Sequence, residues 1–566
     1  MNADNVFHIS KEQSEVDTLT GNVILTQDSL VMFCDRAVVI NEIYAYAYDN
    51  VVIVHYDTIQ IYADSMRYNG ITKVAELFGE VILQDGDRRL NTTQLTYNVD
   101  DKTAEYTTGG TIIENQDTIV SREGFYYQKE KKVWLKGNVS FVDTSRLLMT
   151  DSILYLYDID QLNMVAPTRM WKDSIEIYCE EGIFQLERDR GILSKNVQVN
   201  TQDQFITSGI LDIDGENQMY RFLIDPVITN ESGRASGDTI IYFQARELVE
   251  IRQDAVYESE EDLIVAPILK YFMETELWET EGRSTVSSEN NIIEADTITS
   301  VDPATTRLSG LVSITDIEDK VRIRADGAIR RDSITKLFAS KRQPLLNYQL
   351  TADSLMLLAD TLISFESNSP EDSIKQDLWA IQKVALKSGN TYGVAQHLRF
   401  NQEDSVIILT NQPVLWSDST QLSGDTIKIY LQNNDVHMIS LLGNAFIVSP
   451  DTSGMYNQIR GLVINNEIQE QEISRSIVSG NAELFYMVKE GEEYRGINLT
   501  KSDGMTFRFE DGQISEIFMK GKPEHIMYEY QPGIDLNAYY LEGFNWRIDE
   551  RPEAMRFLRL YNYYNK

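Results

Sequence analysis

The stretch Ile59-Gln60-Ile61-Tyr62-Ala63-Asp64-Ser65-Met66-Arg67-Tyr68-Asn69-Gly70 decides the fold. Ile59, Ile61 and Ala63 share one parity, so in an extended chain they share one face, because successive side chains of a strand point to opposite sides. A small residue followed by an acid, Ala63-Asp64, marks a bend, and Tyr68-Asn69-Gly70 carries hairpin-turn chemistry. The small-acid step returns at Cys34-Asp35, Thr150-Asp151, Gly237-Asp238, Ala295-Asp296, Ala325-Asp326, Ala352-Asp353 and Gly424-Asp425. With Asp64 included, the acids stand 29, 87, 87, 58, 30, 27 and 72 residues apart, and five of the seven gaps match 29 or a multiple within one residue. A period sustained over that length is the mark of a stacked array.

About fourteen residues upstream of these acids runs a second mark: Gly21-Asn22-Val23, Asp49-Asn50-Val51, Gly79-Glu80-Val81, Gly137-Asn138-Val139, Lys195-Asn196-Val197 and Asp225-Pro226-Val227. Each is read as the opening of a short strand. Val23 and Leu25, Val51 and Ile53, Val81 and Leu83, Val139 and Phe141, and Val197 and Val199 then lie on one inward face, with Ile59 and Ile61. Two turns per unit give two strands running in opposite directions, hence an all-β, antiparallel array of about 29-residue repeats folded into two sheets. At the bend the small residue lets the chain pass from one sheet to the other, and the Asp accepts hydrogen bonds from freed backbone amides. A residue that recurs in every unit is expected to be architecture rather than chemistry.

The boundaries follow from breaks in this pattern. Residues 1–20 read as a polar leader segment and 21–365 as repeats. The polar stretch 366–376, with Ser367-Asn368-Ser369-Pro370, reads as a loop insertion, followed by further repeats over 377–442. Beyond Gly443 the spacing lengthens, since Gly443-Asn444-Ala445 and Gly480-Asn481-Ala482 stand 37 apart, so 443–551 reads as a related β module and 552–566 as a tail.

Thirty Tyr, twenty Phe and only 11 Pro suit pleated, half-buried strands. The net charge of -37 sets nucleic acid aside, because phosphate binding needs Lys and Arg to replace counterions. No apolar run approaches the roughly 18 to 20 residues that a membrane helix needs. The five His residues, at 8, 55, 397, 437 and 525, show no metal-ligand spacing, and nothing resembles a nucleophile elbow, phosphate loop or dinucleotide fingerprint. No catalytic residue, metal or cofactor is therefore expected. Asp212-Ile213-Asp214-Gly215 reads as a turn rather than a calcium loop. Cys34 and Cys179, in equivalent registers of distant repeats, are expected to be buried thiols too far apart to pair.

The Gly-Asn-Val marks, Ala63-Asp64-Ser65-Met66-Arg67-Tyr68, Ala352-Asp353-Ser354-Leu355, Pro413-Val414-Leu415-Trp416, Tyr456-Asn457-Gln458-Ile459-Arg460-Gly461 and Gly543-Phe544-Asn545-Trp546 together resemble the OstA-like proteins of lipopolysaccharide transport, in their Bacteroidetes form. The resemblance implies an elongated, twisted β-jellyroll, open along one side, whose apolar groove shields lipid acyl chains in the periplasm. The N-terminus shows no secretory signal, which taken alone reads as cytoplasmic; the resemblance implies export. It also implies lipopolysaccharide as ligand, and as partners the other jellyroll components of the bridge and the outer-membrane translocon. The apolar faces by themselves fit a closed, non-catalytic scaffold without lipid better than a groove, and the resemblance reverses that preference. The first strand, with Val23, Ile24, Leu25 and Thr26, carries neither charge nor Pro, so it is expected to be a pairing edge for a partner strand unless residues 1–20 fold back as a cap.

Overall fold

The computed structural model describes residues 1–566 except 12–13, 56–58, 318–320, 351–353, 367–375, 402, 434, 452, 471, 492, 511–512 and 565–566. Strands and turns make up nearly all of it, and the strands pair antiparallel. The chain divides into two units, Met1–Glu260 with Lys270–Glu274, and Glu261–Leu269 with Thr275–Lys566.

In the first unit, long strands such as Ser14–Gln27, Leu30–Ile40, Tyr44–His55, Ile59–Asn69 and Val74–Asp85 each change register near the middle, as between Thr20 and Val23 or Tyr48 and Val51. The cause is a pair of left-handed residues: Gly21 (φ 75°) with Asn22 (46°), Asp49 (61°) with Asn50 (49°), and Gly137 (73°) with Asn138 (49°). Gly and Asn tolerate this conformation best, and the extra residues kink the strand. The Gly-Asn-Val marks are therefore bulges inside continuous strands and not strand openings. Elsewhere the halves separate, as at Thr103–Tyr106 and Gly110–Glu114 or at Met219–Leu223 and Val227–Asn230. The expected boundary at residue 21 consequently falls within a strand.

In the first repeats each bulge faces the acid of the neighbouring strand, whereas Gly137 faces Arg122. Asn50 donates to the Asp35 carboxylate at 2.7 Å, Asn22 to Asp4 at 2.9 Å, and the Glu80 amide to Asp64 at 3.1 Å. A Cβ added to Gly79 would lie 2.1 Å from the Asp64 carboxylate, so the glycine makes room for the acid. The two sequence marks are thus the two halves of one bend. Asp35, Asp64 and Asp151 are exposed, so these carboxylates work at the surface and not in the core.

The halves assemble into two sheets joined along this line of bends. On the first sheet a single inward row of cross-strand neighbours runs Leu25, Met32, Ile53, Ile61, Leu83, Leu90. It continues through Ile112, Ile119, Phe141, Leu148, Met170, Ile177, Val199, Ile206 and Ile228. The hairpin turns of the two sheets lie on the side away from the bends and form the mouth.

The N-terminal segment pairs into the array. Asn5–Lys11 pairs with Ser14–Gln27, and Asn2 exchanges both backbone hydrogen bonds with Ile24, at 2.8 and 2.7 Å. The expected edge at Val23, Ile24, Leu25 and Thr26 is therefore already occupied at Ile24. Among the described residues of the first unit Asn5–Lys11 is a strand paired on one side only, with Val6, Phe7 and Ile9 exposed, and among those of the second unit Gln513–Lys520 and Glu524–Glu529 each pair with Glu493–Glu510 alone.

In the second unit the alternation breaks down in the stretches whose two faces are both covered. Val414, Leu415 and Trp416 are all buried, as are Leu357, Leu358 and Ala359. The outer face is covered by the end of the chain. Residues 552–566, expected as a tail, contain the helix Ala554–Tyr564, whose fully buried Phe557 packs on Leu345, Leu358 and Ala385. Upstream of it, Tyr540 and Leu541 pack on Phe485, Met487 and Ile497, and Gln421 binds the backbone at Asn545 and Arg547, both at 2.7 Å. Gly443, the expected start of a C-terminal module, sits within the strand Asp435–Pro450. The strands Thr361–Glu366 and Gln376–Ser388 pair directly, while 367–375 and the Ala352-Asp353 step lie outside the described residues. No helix among the described residues is long and apolar enough to cross a membrane.

Candidate ligand cavity between the sheets of the first unit

The first unit contains a cavity of ≈ 350 Å³ between its two sheets, opening at the mouth. Its floor is apolar: Ile177, Val199 and Ile206 come from the first sheet, and Ile213, Phe222 and Ile240 from the second. Alternation places these side chains inward, while the intervening Asp212 and Arg221 form an ion pair facing outward. The volume is within the range of specific small-ligand sites. A smaller apolar cleft in the second unit, ≈ 50 Å³ between residues such as Leu346, Leu378 and Leu398, leaves little room for any ligand.

The rim is charged. Arg146 binds Asp143 at 2.8 Å and Asp189 at 3.1 Å, and Lys172 binds Asp189 at 2.8 Å. Burial works against ionisation of the Asp143 carboxyl, but the amides of Ser145 and Arg146 and the Arg146 guanidinium outweigh it and hold the group below its ordinary value. The Arg146 guanidinium also lies over the Phe184 ring, 5.1 Å from its centroid. Tyr220 and Tyr242 stack at 6.0 Å on the second sheet's side, and burial raises both phenols.

The twelve inward residues expected from the sequence, Val23, Leu25, Val51, Ile53, Ile59, Ile61, Val81, Leu83, Val139, Phe141, Val197 and Val199, are all buried. Val199 lines the cavity. Ile53, Ile61, Leu83 and Phe141 stand further up the same cross-strand row, where polar side chains bridge the mouth. Sequence reasoning missed Ile177, Ile206 and Phe222, although Ile177 carries the same parity as Val199 and Ile206 is its cross-strand neighbour. It also missed the rim cations, which no spacing marked.

The turn reading of Asp214 fits its contacts, since its carboxylate accepts from the Asn217 amide at 3.3 Å and side chain at 2.9 Å. Cys34 and Cys179 are buried and unpaired, and burial pushes their thiols up to about 11 and about 12.

Two family models match the chain. One, described as OstA-like protein, covers residues 1–151. The other, described as LptA/(LptD N-terminal domain) LPS transport protein, covers 118–277 and 347–435. Among solved structures, the chain is similar to the crystal structure of LptH, the LptA homologous periplasmic component of the lipopolysaccharide transport device of Pseudomonas aeruginosa. The identity is 16%, over 25% of this chain and 95% of that one, with a TM-score of 0.20, a likeness too low to carry an argument. No curated protein matches.

Proposed function

We propose that the chain, which OstA-like and LptA/(LptD N-terminal domain) family models match over 1–277 and 347–435, is a periplasmic lipopolysaccharide-transport protein whose first unit shields acyl chains between its two sheets. The observation that carries this reading is the open apolar cavity at the end of an unbroken apolar row. Each methylene moved from water into such a lining gains about 0.8 kcal/mol. About ten methylenes therefore outweigh the roughly 0–1 kcal/mol of one rim ion pair. Affinity comes from the floor, and Arg146 and Lys172 orient the anionic end of the lipid at the rim.

The partners are other jellyroll components of the transport bridge and the outer-membrane translocon, met by strand addition at Asn5–Lys11 rather than at the occupied Val23–Thr26 segment. The test is lipid extraction from the purified full-length protein, read by mass spectrometry, with Ile206→Gln as the comparison. Lipopolysaccharide should accompany the wild type and fall about ten-fold in the variant at unchanged melting temperature. Lipid-free wild-type protein from a lipopolysaccharide-rich envelope would overturn the reading. It would favour a closed scaffold, which the bridged mouth of the early repeats fits.

A further inference from the structure

One row of the second sheet differs from all the others. Its cross-strand neighbours run Tyr68, Ala75, Tyr97, Ala104, Tyr126, Val133, Tyr155, Leu162 and Phe184. Aromatic residues alternate with smaller ones, and the aromatics recur every 29 residues. Each tyrosine is buried, yet each hydroxyl finds its partner on the opposite sheet, at a turn across the mouth. Tyr68 donates to Gln27 at 2.7 Å, Tyr97 bonds His55 at 2.6 Å and Tyr126 donates to Asp85, while the single Tyr155 hydroxyl hydrogen is shared between Glu114 across the mouth at 3.2 Å and Asp160 of its own hairpin at 3.0 Å. The offsets are 41, 42, 41 and 41 residues, so the pairing is a property of the repeat.

Further contacts brace these rungs. Arg88 makes a two-pronged pair with Glu114 at 3.1 and 2.6 Å and lies 3.7 Å from the centroid of Tyr157, which stacks on Tyr126. A tyrosine serving only as core filler would satisfy its hydroxyl at the nearest backbone or in solvent. Four that reach toward the other sheet at offsets of 41 or 42 residues tie the two sheets together.

The row loses its hydroxyl at the fifth rung. Asp143, 41 residues before Phe184, occupies the acceptor register, but Phe184 has nothing to donate, and Arg146 takes the carboxylate instead. The next register is Ile213, and there the cavity is open.

We propose that Tyr68, Tyr97, Tyr126 and Tyr155 form a hydrogen-bonded latch that closes the mouth of the early repeats, so that a ligand enters from the side only beyond Phe184. The assignment of that ligand as lipid rests on the function proposed above; the latch itself is tested without lipid. In a full-length background with Cys34→Ala and Cys179→Ala, single thiols are placed at Ile61, Ile206 or Met170 and their modification by N-ethylmaleimide is followed by mass spectrometry. Ile206→Cys should react readily and Ile61→Cys slowly. Adding Tyr68→Phe, Tyr97→Phe and Tyr126→Phe together should speed modification at position 61 by about ten-fold, since three buried hydrogen bonds are removed while the rings remain. Position 206 should be unmoved.

Equal rates at 61 and 206 in the unaltered row, or a rate at 61 that ignores the triple variant, would overturn the latch. If the triple variant melts early, Phe184→Tyr decides, because it supplies the missing hydroxyl and should slow modification of Met170→Cys. An unchanged rate there would also overturn the proposal. None of these results bears on whether lipid is extracted with the protein.

Discussion

At the scale of single residues, the bend is a contact between a left-handed glycine or asparagine and an acid on the next strand. Gly79, at φ 99° with a carboxylate where its Cβ would go, should be the more sensitive half. Gly79→Ala is expected to cost about 1–3 kcal/mol, combining backbone strain with displacement of Asp64. Asp64→Leu should cost less, about 0.5–1.5 kcal/mol, because the acid is exposed and gives up little more than one hydrogen bond. Chemical denaturation of both variants checks the order, and a larger loss for Asp64→Leu would contradict it.

His55 supplies a pH-dependent prediction. Burial, and secondarily the positive charge of Lys102, hold its imidazole below the ordinary value of 6.5, against a smaller opposing effect of Asp100. The unfolded chain then takes up this proton more readily than the folded chain. Stability should therefore fall as pH drops below about 6.5 and level off only below the folded-state value. His55→Gln should flatten that slope in melting temperatures measured from pH 8 to 5. Parallel slopes for the two proteins would show that His55 does not contribute.

At the scale of elements, the 29-residue period and the inward parity were legible because both are local properties of the chain. The bulges were legible as marks but not as bulges, since the partner Asp lies on another strand and only register reveals that they meet. The tyrosine row stood in the sequence at the same period, hidden because Tyr suits any strand. The C-terminal helix was missed for a different reason: it is short, and its stability comes from the face it covers rather than from its own sequence. A signal did exist in the unbroken burial-prone run Val414-Leu415-Trp416, which no strand with one wet face would carry. Phe557→Ala should remove most of the helix's anchoring and cost about 3–5 kcal/mol within the second unit. Proteolysis should then cut near Pro552 well before global unfolding. Cleavage equally slow in wild type and variant would mean that the helix is held elsewhere.

At the scale of the whole molecule, the net charge of -37 keeps an edge-bearing β protein in solution and leaves the apolar row as the feature that sets its chemistry. The first unit divides that row into a latched stretch and an open one. On the function proposed above, this division separates a transport groove from a core that merely holds two sheets together. The most direct test of the account is photo-crosslinking in growing cells, with the reactive side chain placed at Ile206 or Phe222 inside the cavity, at Ile61 behind the latch, and at Asp212 or Gln60 on the outer face. Lipopolysaccharide should be captured strongly at Ile206 and Phe222, weakly at Ile61, and barely at Asp212 and Gln60. Capture at the outer positions equal to that at Ile206 and Phe222 would contradict the claim that lipid travels between the sheets.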